Sequence, residues 1–146
     1  MTVMVDPVDL ALDRLRRQDA AAPEIDGALN IAEMAERTGV SAHTLRYYER
    51  IGLLGAVARD ASGYRIYSAA DFSRVVFLTR LRMTGMPIRE LIRYVELTGA
   101  GEATVDERLA MLQAHREAVR TQLAELQFAL QTIEHKIDMY GGSCAP

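Results

Sequence analysis

From Val105 to Tyr140, side chains of one kind recur at spacings of four and three without a break. The positions are Val105, Leu109, Leu112, Arg116, Val119, Leu123, Leu126, Leu130, Ile133, Ile137 and Tyr140, and all but Arg116 are apolar. A strict two-in-seven stripe of this length is a coiled-coil seam rather than the broader stripe of a helix packed in a core. At 1.5 Å per residue the helix is roughly 55 Å long, too long to be covered by a domain of about 70 residues. It needs a partner, and the simplest is a second copy of the chain. Val105, Leu109, Leu112, Val119, Leu123, Leu126, Leu130, Ile133 and Ile137 are therefore the candidate dimerisation residues. A helix of an intrachain bundle is the alternative. Arg116, the one polar position, suits a role in fixing register at some loss of stability. Lining an anion pocket beside His115 is the weaker alternative.

Ahead of this helix the chain is dense in short-range signals. Asn30 with Glu33 reads as an N-cap and its reciprocal partner, and Ile31, Met34 and Ala35 supply the buried face of a short helix. Gly39 suits the left-handed position that ends it. Ser41 caps a second helix carrying Leu45, Tyr48 and Ile51 at helical spacing, ending at Gly52. Two short helices joined by a tight glycine-containing turn make a helix-turn-helix. Arg59, the turn Asp60-Ala61-Ser62-Gly63 and the alternating Tyr64-Arg65-Ile66-Tyr67 predict a β-hairpin, placed where a wing would be.

Ser68 with Asp71 predicts a capping box opening a helix to about Met83, with Phe72, Val75, Val76, Leu78 and Leu81 apolar. Gly85-Met86-Pro87 breaks it, and Pro87 opens a further helix with Ile88, Leu91, Ile92 and Val95 inside. Thr104 with Glu107 predicts a capping box at the start of the long helix. The fold class is mainly α: a winged helix-turn-helix DNA-binding domain over 30–99, then a coiled-coil dimerisation helix over 104–140. Residues 1–29 read as a flexible or weakly docked arm and 141–146 as a flexible tail.

A formal net charge of -3 is of the wrong sign for nucleic acid, but it is unevenly spread. Residues 30–98 hold ten Arg against seven Asp and Glu, whereas each flank carries a balance of -3. Lys136 is the only lysine, so the cations are planar guanidinium forks suited to phosphate and guanine. The single Cys144 excludes an intrachain disulfide and fits a reducing compartment. No apolar run approaches the roughly 20 residues that span a bilayer, and Met1 to Leu10 lacks the basic start of a secretory signal. A cytoplasmic protein with no membrane contact is expected. No nucleophile–base pair, carboxylate pair or phosphate loop is visible, and His43, His115 and His135 are scattered, so an enzyme is not expected.

Ile31-Ala32-Glu33-Met34-Ala35, Thr38-Gly39-Val40-Ser41 and Thr44-Leu45-Arg46-Tyr47-Tyr48-Glu49-Arg50-Ile51-Gly52-Leu53-Leu54 resemble the MerR family of bacterial regulators. So do Arg59, Ser62-Gly63-Tyr64-Arg65-Ile66-Tyr67, and Leu81-Arg82 with Gly85. The close resemblance covers about residues 29 to 97, and the order of elements covers the rest. It implies an antiparallel homodimer of long helices that places two recognition helices in successive major grooves of a pseudo-palindromic promoter. It also implies bending and untwisting of over-long spacers, so that RNA polymerase is served indirectly through the DNA. A rival reading, a coiled-coil adaptor that has lost DNA binding, requires damage to the recognition helix or wing, and the sequence shows none.

On this resemblance Arg46, early in the recognition helix, forks onto guanine or clamps a phosphate. Tyr47 is expected to reach a phosphate, while Tyr48, in phase with Leu45 and Ile51, is expected to be partly buried, though both are candidate contacts. Ser41 caps and lies near DNA. His43 faces a base, a phosphate or only solvent. Arg59, Tyr64 and Arg65 in the wing and Arg82 beyond it are the backbone candidates, and Tyr67 is expected to pack the hairpin onto the helices. Metal-sensing members pair cysteines at the end of the dimer helix, because soft cations want two or more thiolates. One cysteine provides no such pair within a chain, so no cofactor is expected, and Cys144 reads as an inert tail residue, with a redox thiol or a shared site with His135 as rivals. The loop Leu97 to Gly101 also lacks the thiol of aldehyde-sensing members. The chain ends soon after the long helix, so the drug-binding domain of multidrug members is expected to be missing. A small-molecule effector is left open.

Overall fold

The computed structural model describes residues 28–142, so the expectations placed on the arm before Ala28 and on Cys144 lie outside it. The elements are β1 (Leu29–Asn30), α1 (Ile31–Thr38), α2 (Ala42–Arg50), β2 (Ala58–Arg59), β3 (Arg65–Tyr67), α3 (Ala69–Met83), α4 (Ile88–Gly99), a 3-10 turn (Glu102–Thr104) and α5 (Val105–Gly141). The chain divides after Gly99 into two compact units.

In the first unit the boundaries follow the caps. The Asn30 side-chain oxygen accepts from Glu33 N at 2.9 Å while its Nδ2 donates to the Glu33 carboxylate. Gly39, at φ 72°, ends α1 and donates to Ala35 O at 3.0 Å. Ser41 Oγ accepts from Thr44 N at 3.1 Å to open α2. At Ser68 both halves of the capping box form, Asp71 N to Ser68 Oγ at 3.1 Å and Ser68 N to Asp71 Oδ2 at 2.9 Å. These bonds satisfy N–H groups that the first turn of a helix cannot satisfy itself.

α3 is the central helix. Phe72, Ser73, Val75, Val76, Leu78 and Leu81 are all buried, more than one face of the helix supplies. Met34 of α1, Leu45 and Tyr48 of α2, Leu53, Leu54 and Tyr67 join them in one core. α4 is less enclosed than its sequence suggests. Leu91 is fully buried, but Ile88, Ile92 and Val95 are only half-buried, and Tyr94 packs its ring 5.6 Å from that of Phe77.

The wing is a sheet of three antiparallel strands in the order β1-β3-β2, one more than the hairpin expected. Leu29 and Asn30 pair with Tyr67 and Ile66 across one edge of β3, and Ala58 and Arg59 pair with Ile66 and Arg65 across the other. The turn closes as predicted. The Asp60 carboxylate accepts from Ser62 N and Tyr64 N, both at 2.9 Å, and Gly63 takes φ 84°. Tyr67 packs the wing onto the helices with no exposure, and its hydroxyl is buried without a hydrogen-bond partner among the described residues.

In the second unit α5 runs for 37 residues. The expected Thr104 capping box is replaced. Thr104 has φ -102° and ψ 5° rather than the extended backbone of a capping residue, and it makes no side-chain cap bond. Its hydroxyl instead donates back to Gly101 O at 2.8 Å and accepts from Arg108 Nε at 3.2 Å, fastening the 3-10 turn to α5. The seam stands open along the single chain, with Leu126 66% and Ile137 60% exposed. Arg116 lies 3.1 Å from the Glu117 carboxylate, which also accepts from Arg120 at 2.9 Å.

Burial raises the pKa of Tyr67 above its ordinary 10.0, with the Glu49 and Asp71 carboxylates adding to the shift and Arg65 and Arg46 opposing it. A raised folded-state value means full stability below about pH 10, lost as pH climbs through the folded value. Tyr67→Phe should therefore be neutral or slightly stabilising at pH 7, since an unpaired buried hydroxyl costs on the order of 1–3 kcal/mol. Above pH 10 it should resist unfolding better than the parent. Urea titrations at pH 7 and at alkaline pH measure both, and equal alkaline losses in the two proteins would count against this assignment.

Candidate nucleic-acid interface

α2 presents its two tyrosines differently, for the reason its periodicity gives. Tyr48, three residues after the fully buried Leu45, is 6% exposed, whereas Tyr47, about 100° round the helix, is 36% exposed. The rings sit 6.3 Å apart and tilted, and the Arg50 guanidinium lies 5.7 Å over the Tyr47 ring. That distance is within the range of a cation–π contact. His43 and Arg46 are exposed on the same helix. Ser41, also exposed, commits its hydroxyl to Thr44, accepting from its N and donating to its Oγ1 at 2.9 Å.

Two open clefts flank α2. The first is bounded by the wing, the start of α1 at Asn30 to Ala32 and Arg46 of α2, and Arg46, Arg59, Tyr64 and Arg65 line it. The second runs between α2 and the corner that joins α3 to α4, and His43, Tyr47, Tyr48 and Arg82 line it. Of the nine residues proposed from sequence, only Ser41 lines neither. Tyr48 lines the second cleft while only 6% exposed, so it contributes chiefly as a wall.

The first cleft is strongly cationic. Three guanidiniums face it, and its one carboxylate, Asp60, is engaged by the backbone of the wing turn. Arg59 donates from Nη1 to Gly63 O at 2.9 Å, which stiffens the wing and leaves its other donors for the cleft. Arg65 donates from Nε to Glu49 Oε2, and both side chains are part-buried. Sequence reasoning missed Glu49 as a functional candidate. The partners stand sixteen residues apart on a helix and a strand, so no local spacing rule joins them. Thr44 and Ile88 in the second cleft were missed as well; they follow from where α2 meets the α3–α4 corner.

A recess with several guanidiniums and a projecting helix beside it is chemically suited to a polyanion with readable edges. Among the described residues no helix is long and apolar enough to cross a membrane.

Comparison with known proteins points the same way. Residues 30–67 match the model of the MerR family regulatory protein, and residues 72–136 match that described as MerR, DNA binding. An uncharacterised HTH-type transcriptional regulator of Haemophilus influenzae is 38% identical over 109 residues, covering 75% of this chain and 81% of that protein. The crystal structure of a MerR family transcriptional regulator from Listeria monocytogenes superposes with a TM-score of 0.72 at 39% identity, covering 78% of this chain and 86% of that one. HiNmlR, a MerR family regulator lacking the sensor domain and bound to promoter DNA, superposes with a TM-score of 0.71 at 36% identity, covering 77% and 90%.

Arg46→Ala should weaken binding to a specific duplex by about 1–3 kcal/mol and relax the base preference at one position of each half-site. Gel-shift titration against single-base variants of the duplex reads this out. A uniform loss across all variants would instead make Arg46 a phosphate clamp.

Proposed function

Since the chain belongs to the MerR family of DNA-binding transcription regulators, we propose that it acts as a homodimer on a pseudo-palindromic promoter site and controls transcription by bending and untwisting the DNA. The observation that carries this is an exposed recognition helix flanked by a cleft with three guanidiniums on the wing side and a second cleft, lined by two tyrosines, His43 and Arg82, on the other. In this reading the DNA-binding domain spans 30–99 and the dimerisation helix 104–140. Arg46 and His43 face base edges. Arg59, Tyr64 and Arg65 hold the backbone along the wing side of the groove, and Tyr47 and Arg82 hold it from the α3–α4 corner. Ser41 caps the first turn of the helix and Tyr48 anchors it to the core.

The exposed seam supports the second copy. Val105, Leu109, Leu123, Leu126, Leu130, Ile133 and Ile137 are about half exposed or more in the single chain. Leu112 and Val119 continue the same line, part-covered. An apolar stripe this long is costly to leave in water, at about 25 cal/mol per Å² of apolar surface, and antiparallel pairing with its own copy covers it. Two recognition helices on a two-fold axis then demand a two-fold site. Polymerase is affected through the distorted promoter, and the protein works in the cytoplasm. A small-molecule effector would act by shifting the balance between two DNA geometries.

Footprinting on the region upstream of its own gene tests this reading. Two-fold-symmetric protection is expected, with hypersensitivity at the centre where the duplex is distorted. If Arg59, Arg65 and Arg82 each neutralise one phosphate in both protomers, log K should fall with log salt at a slope of about -5. Absent or salt-independent binding would overturn the reading. Leu126→Glu should yield monomers in sedimentation and abolish the two-fold footprint, because it places a charge in the seam. A variant that stays dimeric would reject the seam as the interface.

A further inference from the structure

We propose that Glu49 is a positioning residue: its carboxylate holds Arg65 by Nε and so aims the rest of that guanidinium at a DNA phosphate. The proposal rests on the assignment of Arg65 as a phosphate contact.

Glu49 stands in the last turn of α2, three residues beyond Arg46 and so on the same side of the helix. A carboxylate there carries the wrong sign for a surface that meets a polyanion. Its partner gives the reason for it. Arg65 and Tyr67 share a face of β3 because side chains in a strand alternate. Tyr67 enters the core, and Arg65, one step nearer the wing turn, meets Glu49 at the core's edge. The Arg65 side chain is 27% exposed and that of Glu49 20%, so the pair is enclosed enough for the charges to act strongly.

Nε is the inner donor of a guanidinium. Engaging it fixes the plane of the fork and leaves the two terminal amino groups for the cleft that Arg65 shares with Arg46 and Arg59. An arginine held this way has lost its rotamer freedom before DNA arrives, so less is lost on binding. The same bond ties α2 to β3 and fixes the wing against the recognition helix.

Simple electrostatics and positioning predict opposite signs. If Glu49 only repels phosphate, removing it tightens binding. If it positions Arg65, removing it weakens binding. The test measures the affinity of the wild type, Glu49→Ala, Glu49→Gln, Arg65→Ala and the Glu49→Ala/Arg65→Ala double variant across a salt series. The probe is a duplex carrying the site that the wild type protects upstream of its own gene, and thermal unfolding of each protein is followed alongside. Arg65→Ala should lower affinity and reduce the salt slope by about 2 for the dimer, one phosphate per protomer. Glu49→Ala should weaken binding about tenfold, on the scale of one charge-assisted hydrogen bond, and shift the salt slope toward that of Arg65→Ala. Glu49→Gln keeps an acceptor for Nε and should lose less. In the Arg65→Ala background, Glu49→Ala should cost nothing further. Equal or tighter binding by Glu49→Ala, or the same loss in both backgrounds, would overturn the proposal. An Arg65→Ala protein with unchanged affinity and slope would overturn the phosphate assignment beneath it, a separate result.

Discussion

Strand β3 is three residues long and hydrogen-bonded on both edges, and the placement of the side chains proposed to face DNA descends from it. On one edge it takes the residues that lead into α1, so the start of the helix-turn-helix is stitched to the wing. On the other it takes β2 and thereby forms the wing itself. Tyr67 drives the strand's end into the core beside α3, and Arg65 turns the neighbouring position toward α2. A wing built as a free hairpin would hinge about its connections. This one is held along one edge by β1 and by the Glu49–Arg65 ion pair, which together fix the wing against α2.

The elements that sequence reasoning recovered are those fixed within a few residues. Asn30, Gly39, Ser41, the Ser68–Asp71 pair and Gly63 each act through a bond or a backbone angle spanning at most four positions, so their meaning is written where they stand. β1 escaped because two residues cannot show an alternation. The Thr104 box failed because its residue types suit a cap, whereas its backbone had already turned helical in the 3-10 segment. α4 carries a regular apolar stripe, yet only Leu91 is fully enclosed, since a stripe reports which side faces inward and not how deep it goes.

The residues proposed to face DNA were named from sequence as types and positions, whereas their grouping was not. Arg46, Arg59, Tyr64 and Arg65 belong to one cleft and His43, Tyr47, Tyr48 and Arg82 to another. That division arises only when β3 and the α3–α4 corner come to lie on opposite sides of α2. The Glu49–Arg65 pair is invisible for the same reason. Arg116 shows the converse: its place in the seam was plain from spacing, while the Glu117 and Arg120 charges clustered around it emerge only from side-chain geometry.

Every cation between residues 30 and 98 is an arginine, and the clefts beside α2 inherit that choice. Guanidinium keeps its proton at any pH a cell reaches and is not a substrate for acetylation as a lysine amine is. The positive charge proposed to grip DNA therefore cannot be dimmed by metabolic acylation or by a drift toward alkalinity. Regulation of occupancy is left to ionic strength, to protein concentration, and to whatever alters the shape of the bound duplex.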